Sequence, residues 1–161
     1  MPSTAAEPAK AWRANRPVTQ TIINPAAIDE PYLHVVAAVI WHPRGDQRFL
    51  IARRQKGKHL EDFWELPGGK LESGESRWQG LCRELAEEID IQAVQGRPYM
   101  QVYHRYPERN VLLDTWVVNE YRGEVRPKEN QLVAWVGIEA LDEFRFPPAD
   151  LPILEAITRT A

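Results

Sequence analysis

The order of apolar and polar residues predicts strands interspersed with helices. An apolar run over residues 33–41 predicts a buried strand, and residues 47–54 are predicted to return beside it as a hairpin. Further extended segments are predicted at 64–67, 99–105, 111–118 and 131–136, and short helices at 138–143 and 149–158. This mixture predicts an α/β fold with a mixed β-sheet in an α/β/α sandwich.

The strongest helical pattern lies just after a glycine-rich run, over residues 76–91. Apolar residues recur there at helical spacing and form one stripe: Trp78, Leu81, Cys82, Leu85 and Ile89. Ser76 followed three residues later by Gln79 matches a capping box, which predicts that the helix starts at Ser76.

One flank of this predicted helix carries three carboxylates. Glu84, Glu87 and Glu88 have i, i+3, i+4 spacing, so they share a face and repel one another. A solvated acidic face is the simplest interpretation of such a triplet. The glycines of residues 68–75 favour another, because glycine lets the backbone approach a ligand closely, and Mg²⁺ takes carboxylate oxygens together with substrate phosphates. The combination predicts metal-assisted chemistry on a phosphorylated substrate.

The same stretch resembles the Nudix box, G-x5-E-x7-R-E-U-x-E-E-x-G-U, in which U is aliphatic. The matching positions are in register: Gly69, Glu75, Arg83, Glu84, Leu85, Glu87, Glu88 and Ile91. Asp90 replaces the glycine of the family at the expected end of the helix, where a left-handed residue is needed, and aspartate tolerates that conformation better than most residues. The resemblance implies the Nudix fold for residues 31–161.

From residue 33 onward the chain resembles the MutT branch of that family, which hydrolyses oxidised purine nucleoside triphosphates. Residues 64–70 are similar to W-E-F-P-G-G-K with leucine for the phenylalanine, and residues 106–109 are similar to F-P-D-R but read Y-P-E-R. Residues 146–150 are similar to F-P-P-A-N, with aspartate for the asparagine. The resemblance implies substrate-binding roles for the matching residues: Arg54, His59, Leu66, Arg109 and Asp150.

A metal centre also follows from the resemblance. The Gly68 carbonyl with Glu84, Glu87 and Glu88 is expected to hold Mg²⁺, or Mn²⁺ in its place, and Glu129 to add a contact when substrate is bound. Glu84 is a candidate for either the general base or a metal ligand. Arg83 is expected to brace the loop through an ion pair with Glu75 or a neighbour.

Three functions remain open at this point. The first is a nucleotide-pool sanitation enzyme, serving DNA repair, that converts 8-oxo-dGTP to the monophosphate and pyrophosphate. The second keeps the reaction but takes CTP or an oxidised cytosine nucleotide. The third is a nucleotide-binding sensor without hydrolysis, which the intact carboxylate set disfavours.

Asp150 bears directly on the choice of base. An asparagine can donate to a purine O6 and accept from N1–H, whereas an ionised aspartate only accepts and favours an amino edge such as that of cytosine. Burial that raised the pKa of Asp150 would restore a donor.

Composition adds few constraints on partners. The chain has 161 residues and a formal net charge of −3, which gives no general attraction to nucleic acid or membrane, and no apolar run approaches the length of a membrane span. A single cysteine, Cys82, fits a reducing cytoplasm. We expect a cytoplasmic monomer or weak dimer whose partner is a nucleoside triphosphate.

Residues 1–30 differ in character from the rest. They are rich in proline and small residues and show neither helical nor strand periodicity. We expect them to form a mobile N-terminal extension that precedes a single domain over residues 31–161.

Overall fold

The computed structural model describes residues 19–22, 25–58, 60–128 and 131–160. Its strands are β1 Thr19–Ile22, β2 Leu33–Ile40, β3 Phe49–Arg53, β4 Trp64–Glu65, β5 Gly68–Lys70, β6 Gln92–Arg105, β7 Asn110–Arg122 and β8 Val133–Val136. Its α-helices are α1 Arg77–Ile89 and α2 Leu151–Thr160. Short 3-10 helices lie at Pro25–Ala27, Ile138–Glu143 and Pro148–Asp150.

The strands form two sheets. The larger has the order β1-β6-β7-β2-β5 and is mixed, because β2 runs parallel to β7 while the other neighbours are antiparallel. The smaller is antiparallel, with the order β4-β3-β8. Within the described residues no helix has the length and apolar character needed to cross a bilayer.

The two α-helices cover opposite faces of β2. Successive side chains of a strand point to opposite faces, and β2 uses this alternation to build two cores. Val36, Ala38 and Ile40 pack in one core with the apolar stripe of α1, whereas Ala37 and Val39 pack in the other with the buried face of α2. The predicted α/β/α sandwich is therefore confirmed.

Both ends of α1 follow the sequence prediction. The Gln79 N–H donates to the Ser76 hydroxyl at 3.1 Å, and the Ser76 N–H donates to the Gln79 side chain at 2.9 Å, which completes the capping box. At the other end Asp90 adopts the left-handed conformation, with φ 61° and ψ 32°. The residue that departs from the Nudix pattern still fulfils the backbone role of the glycine.

The predicted hairpin between the first two core strands is wrong. The segment does form a strand, β3, but β3 pairs with β4 and β8 in the smaller sheet. A single bridge between Trp41 and Phe49 connects the ends of β2 and β3. The reason is that β2 already has neighbours on both edges, β7 and β5, so it has no free edge for β3.

Three strands extend beyond the sequence prediction. Strands β6 and β7 are longer than the segments 99–105 and 111–118, because bulges between Ala93 and Met100 interrupt the alternation by which a strand is recognised. Strand β1 lies within the expected extension and pairs with β6. Glu30 also binds β6, because it accepts hydrogen bonds from Tyr103 and Arg105 of that strand. Residues 1–18 and 23–24 lie outside the described part.

A buried ion pair fixes the start of α1 to the large sheet. Asp114 of β7 is fully buried and accepts two hydrogen bonds from Arg77, at 2.5 and 2.7 Å, and one from His34 of β2 at 2.8 Å. Burial alone would raise the pKa of Asp114, but the bonds from Arg77 and His34 outweigh it and hold that pKa below its ordinary value. The ionised aspartate thereby joins β2, β7 and α1.

We expect Asp114→Asn to lower the free energy of unfolding by about 2–4 kcal/mol, because Arg77 loses its charged partner in a buried setting. Urea denaturation measures this change. Asp46→Asn is the matched control, since it breaks an exposed pair with Arg48 and should leave the unfolding midpoint nearly unchanged. Equal effects of the two substitutions would contradict a structural role for the buried pair.

Candidate active site

A cleft of about 870 Å³ lies between the glycine strand β5, the carboxylate flank of α1 and the turns that contain Tyr106 and Asp150. This volume suits a small-molecule ligand. The cleft brings together most of the residues predicted for the site: Arg54, Leu66, Gly68, Gly69, Arg83, Glu84, Glu87, Glu88, Arg109 and Asp150. His59 and Glu129, also predicted, lie outside the described residues.

The two glycines of β5 allow the backbone to approach the helix closely. A Cβ on Gly69 would lie 2.3 Å from the Glu84 carboxylate, and one on Gly68 would lie 2.0 Å from the carbonyl oxygen of Val36. A side chain at Gly68 would collide with backbone, whereas one at Gly69 would displace the Glu84 carboxylate. The Gly68 N–H donates to Glu88 at 2.9 Å, so the strand is hydrogen-bonded directly to the acidic flank.

Arg83 holds the acidic flank and the glycine-rich loop together. Its guanidinium donates to both carboxylate oxygens of Glu75, to Glu84 at 2.9 Å, to Glu87 at 3.2 Å and to the Lys70 carbonyl at 3.0 Å. The ion pair predicted between Arg83 and Glu75 is therefore present. Hydrogen bonding to Arg83 lowers the pKa of Glu75, and the positive charge reduces the repulsion between Glu84 and Glu87.

Glu88 lies deeper than the other two carboxylates of the flank. Its side chain is buried, with the residue only 8% exposed. Burial, and then the nearby charge of Glu65, raise the pKa of Glu88 to about 8, against the opposing hydrogen bond from Gly68. A nearby cation would stabilise the ionised form, so this carboxylate is suited to neutralising a bound positive charge.

The donors on this flank fit a hard divalent cation. They are carboxylate oxygens next to a backbone strand, with no nitrogen or sulfur ligand among the predicted set, and Mg²⁺ prefers such oxygens. Within the described residues, no three acidic, histidine or cysteine side chains converge as a ready-made metal centre. Arg83 and Gly68 occupy oxygens of Glu84, Glu87 and Glu88, so a cation would compete with these donors.

The other end of the cleft contains a second buried acid. Asp150 is 5% exposed and ends the 3-10 turn Pro148–Asp150. Burial, followed by the charge of Glu65, raises the pKa of Asp150 to about 8, although a long hydrogen bond of 3.5 Å from the Leu66 N–H opposes this shift. A carboxyl group that is neutral near pH 7 can both donate and accept a hydrogen bond.

Glu65 is the residue that the sequence analysis missed. It lies on β4 and pairs with Arg54 at 2.5 Å, so the arginine predicted to bind substrate is already bound to a carboxylate. Burial raises the pKa of Glu65 even beside Arg54. The sequence did contain a signal for this residue: an acidic side chain lies between the apolar residues Trp64 and Leu66. Residues 64–70 were used only as a motif match, and that acid was given no role.

Comparison with known proteins gives a consistent picture. The family model described as NUDIX domain matches residues 36–156. The chain is 35% identical to the CTP pyrophosphohydrolase of Escherichia coli over 124 residues, which is 77% of this chain and 90% of that protein. It is 33% identical to the 8-oxo-dGTP diphosphatase of Haemophilus influenzae over 130 residues, 81% of this chain and 94% of that protein.

A solved structure agrees with these relatives. It is a MutT structure from work on Aliivibrio salmonicida and Vibrio cholerae, with a TM-score of 0.69 and 31% identity. The alignment covers 81% of this chain and 100% of that one. The predicted likeness to MutT is therefore confirmed.

The buried Glu88 should make stability fall as pH rises. The folded protein keeps the Glu88 proton up to about pH 8, whereas the unfolded chain loses it near pH 4.5, so the free energy of unfolding decreases between these values. We expect Glu88→Gln to remove part of this decrease and to add roughly 2–4 kcal/mol to the stability at pH 8.

Urea denaturation from pH 5 to 9, with a chelator present to remove divalent ions, measures the effect. The control is Glu87→Gln on the exposed side of the same helix, which should keep the wild-type pH dependence. The expectation fails if Glu88→Gln and the wild type show parallel curves.

Proposed function

The chain belongs to the NUDIX domain family, and we propose that it is a metal-dependent nucleoside triphosphate diphosphatase that hydrolyses 8-oxo-dGTP. The products are the monophosphate and pyrophosphate. One observation carries the proposal: a single cleft has the carboxylate flank of α1 at one end and the buried carboxyl group of Asp150 at the other. These two ends correspond to the triphosphate and the base of one nucleotide.

At the triphosphate end, the Gly68 carbonyl, Glu84, Glu87 and Glu88 would hold the divalent ion, with Glu129 added when substrate is bound. When bound, such an ion neutralises phosphate charge and polarises water. Hydrolysis at phosphorus depends chiefly on positioning and charge stabilisation, which a rigid flank supports.

The chain's own residues have distinct roles in this reaction. Glu84, whose carboxylate lies against Gly69 in the cleft, would act either as a metal ligand or as the general base that accepts a proton from water. Arg83 keeps the flank in place through Glu75 and the Lys70 carbonyl. Arg54 lines the cleft and pairs with Glu65, and its guanidinium would contact phosphate oxygens from that position.

At the base end, Asp150 replaces the asparagine of the MutT pattern without losing its hydrogen-bonding capacity. In its neutral form it can donate to O6 and accept from N1–H of 8-oxoguanine, as an asparagine would. Arg109 lines the same region, and Leu66, which is almost fully buried, provides backbone polar groups beside Asp150.

CTP is the second candidate substrate. The observation that favours it is the 35% identity to a protein named CTP pyrophosphohydrolase. A neutral Asp150 could donate to N3 of cytosine and accept from its amino group, while an ionised one could only accept. The sensor hypothesis is disfavoured, since a binder has no need of several acids held together against repulsion.

Glu84→Gln tests the reaction itself. We expect kcat for Mg²⁺-dependent release of pyrophosphate from 8-oxo-dGTP to fall by about 10²–10⁴-fold, with the fold unchanged. Glu120→Gln, an exposed carboxylate on β7, is the matched control and should keep wild-type activity. Near-wild-type turnover by Glu84→Gln would refute the assignment of the carboxylate flank.

Asp150→Asn tests whether Asp150 recognises the nucleobase. If the neutral carboxyl group is required, kcat/KM of the wild type for 8-oxo-dGTP should fall as pH rises through about 8, the pKa of Asp150. An asparagine does not ionise, so Asp150→Asn should lack this part of the pH dependence. Identical pH profiles for the two proteins would show that Asp150 does not read the base.

A further inference from the structure

Two of the positions that depart from the MutT-like motifs, Tyr106 and Asp150, lie close together, because the Tyr106 hydroxyl binds the turn that ends in Asp150. Residues 106–109 carry tyrosine where the pattern has phenylalanine, and residues 146–150 end in aspartate where it has asparagine. In the structure the Tyr106 hydroxyl accepts a hydrogen bond from the Ala149 N–H at 3.2 Å. The hydroxyl that distinguishes tyrosine from phenylalanine therefore binds the residue next to Asp150.

We propose that Tyr106 is a specificity-determining positioning residue, whose hydroxyl fixes the Pro148–Asp150 turn and so orients Asp150 towards the base. This inference rests on the proposed function, because it assumes that Asp150 reads the nucleobase. The role belongs to the hydroxyl group, since a phenylalanine would keep the aromatic ring and lose the bond to Ala149.

The surroundings hold the tyrosine firmly in place. The Tyr106 N–H donates to the Arg109 carbonyl at 2.9 Å, which closes the turn after β6, and the His104 ring lies 4.3 Å away between centroids. Burial, followed by the charge of Asp150, raises the pKa of the Tyr106 phenol above its ordinary value, so the hydroxyl keeps its proton. The acceptor for Ala149 is thus attached to the rigid end of a strand.

The turn that carries Asp150 depends on this acceptor. Ala149 is 3% exposed, so its N–H lies away from solvent, and a buried amide that loses its partner is costly. The turn retains its internal bond from the Asp150 N–H to the Pro147 carbonyl at 3.0 Å. Loss of the hydroxyl should consequently let the turn shift as a unit, which changes the direction of the Asp150 side chain without unfolding it.

Such a shift should affect the choice of base and leave hydrolysis intact. A loss of folded protein or of metal would reduce turnover of every nucleotide by the same factor. A misdirected Asp150 instead changes the ratio of kcat/KM between two bases. The ratio for 8-oxo-dGTP and CTP therefore separates positioning from a purely structural contribution.

The test is a double-mutant cycle with Mg²⁺ and these two nucleotides, using Tyr106→Phe, Asp150→Ala and the combined variant. We expect Tyr106→Phe to reduce the wild-type preference between the nucleotides about 5–10-fold, as expected for one hydrogen bond. In the Asp150→Ala background the same substitution should change the preference less than twofold, because no carboxyl group remains to be oriented. Tyr103→Phe is the matched control, since its hydroxyl binds Glu30, and it should keep the wild-type preference.

The outcomes separate this inference from the proposed function. If the wild type hydrolyses neither nucleotide, both fail. If it hydrolyses them but Tyr106→Phe keeps the wild-type preference, or reduces it equally with and without Asp150, only the positioning role is overturned. A wild type without any preference between the two bases would overturn that role as well.

Discussion

The close contact between the glycine strand β5 and the carboxylate flank of α1 is the constraint on which the site depends. A methyl group on Gly69 would overlap the Glu84 carboxylate of the helix, and one on Gly68 would overlap the backbone of β2, so the absence of both side chains lets β5 lie close to each of them. The surrounding structure maintains the contact. The capping box fixes where α1 begins, the Asp114–Arg77 pair ties that end to the sheet, and Arg83 ties the middle of the helix to the loop.

Several acidic side chains share this cleft, so their mutual repulsion and burial must be offset by other groups. Arg83 pairs with Glu75, Glu84 and Glu87, so its positive charge offsets the repulsion among these neighbouring carboxylates. Burial, and then the charge of the same neighbour, Glu65, raise the pKa values of Glu88 and Asp150, and the charge of Arg54 opposes this shift only in part at Asp150. Glu65 therefore raises the pKa of an acid at each end of the cleft.

Sequence reasoning succeeded where the rule was local. The capping box, the left-handed Asp90 and the Arg83–Glu75 pair each follow from residue types at short or fixed spacing. The apolar run over residues 33–41 likewise predicted a buried strand, and β2 is that strand.

Sequence reasoning failed where the structure depends on residues that lie far apart in the chain. The edge available to β3 is decided by β7 and β5, which lie elsewhere in the sequence. Strand β1 was also missed, because it pairs with residues of β6 far along the chain and its own segment has no strand periodicity. Glu65 was missed for the same reason, because its importance arises only when folding places it near Arg54, Glu88 and Asp150.

Calorimetric titration of Mn²⁺ into Gly69→Ala tests the central claim most directly, namely that the close approach of β5 to α1 creates the cation site. The added methyl group would overlap the Glu84 carboxylate. Gly137→Ala is the control, because there the methyl group meets only the exposed Glu139 side chain. We predict at least about tenfold weaker Mn²⁺ binding by Gly69→Ala, as expected if a misplaced ligand costs more than ~1.4 kcal/mol, with wild-type affinity in the control. Wild-type affinity in a folded Gly69→Ala protein would contradict the account.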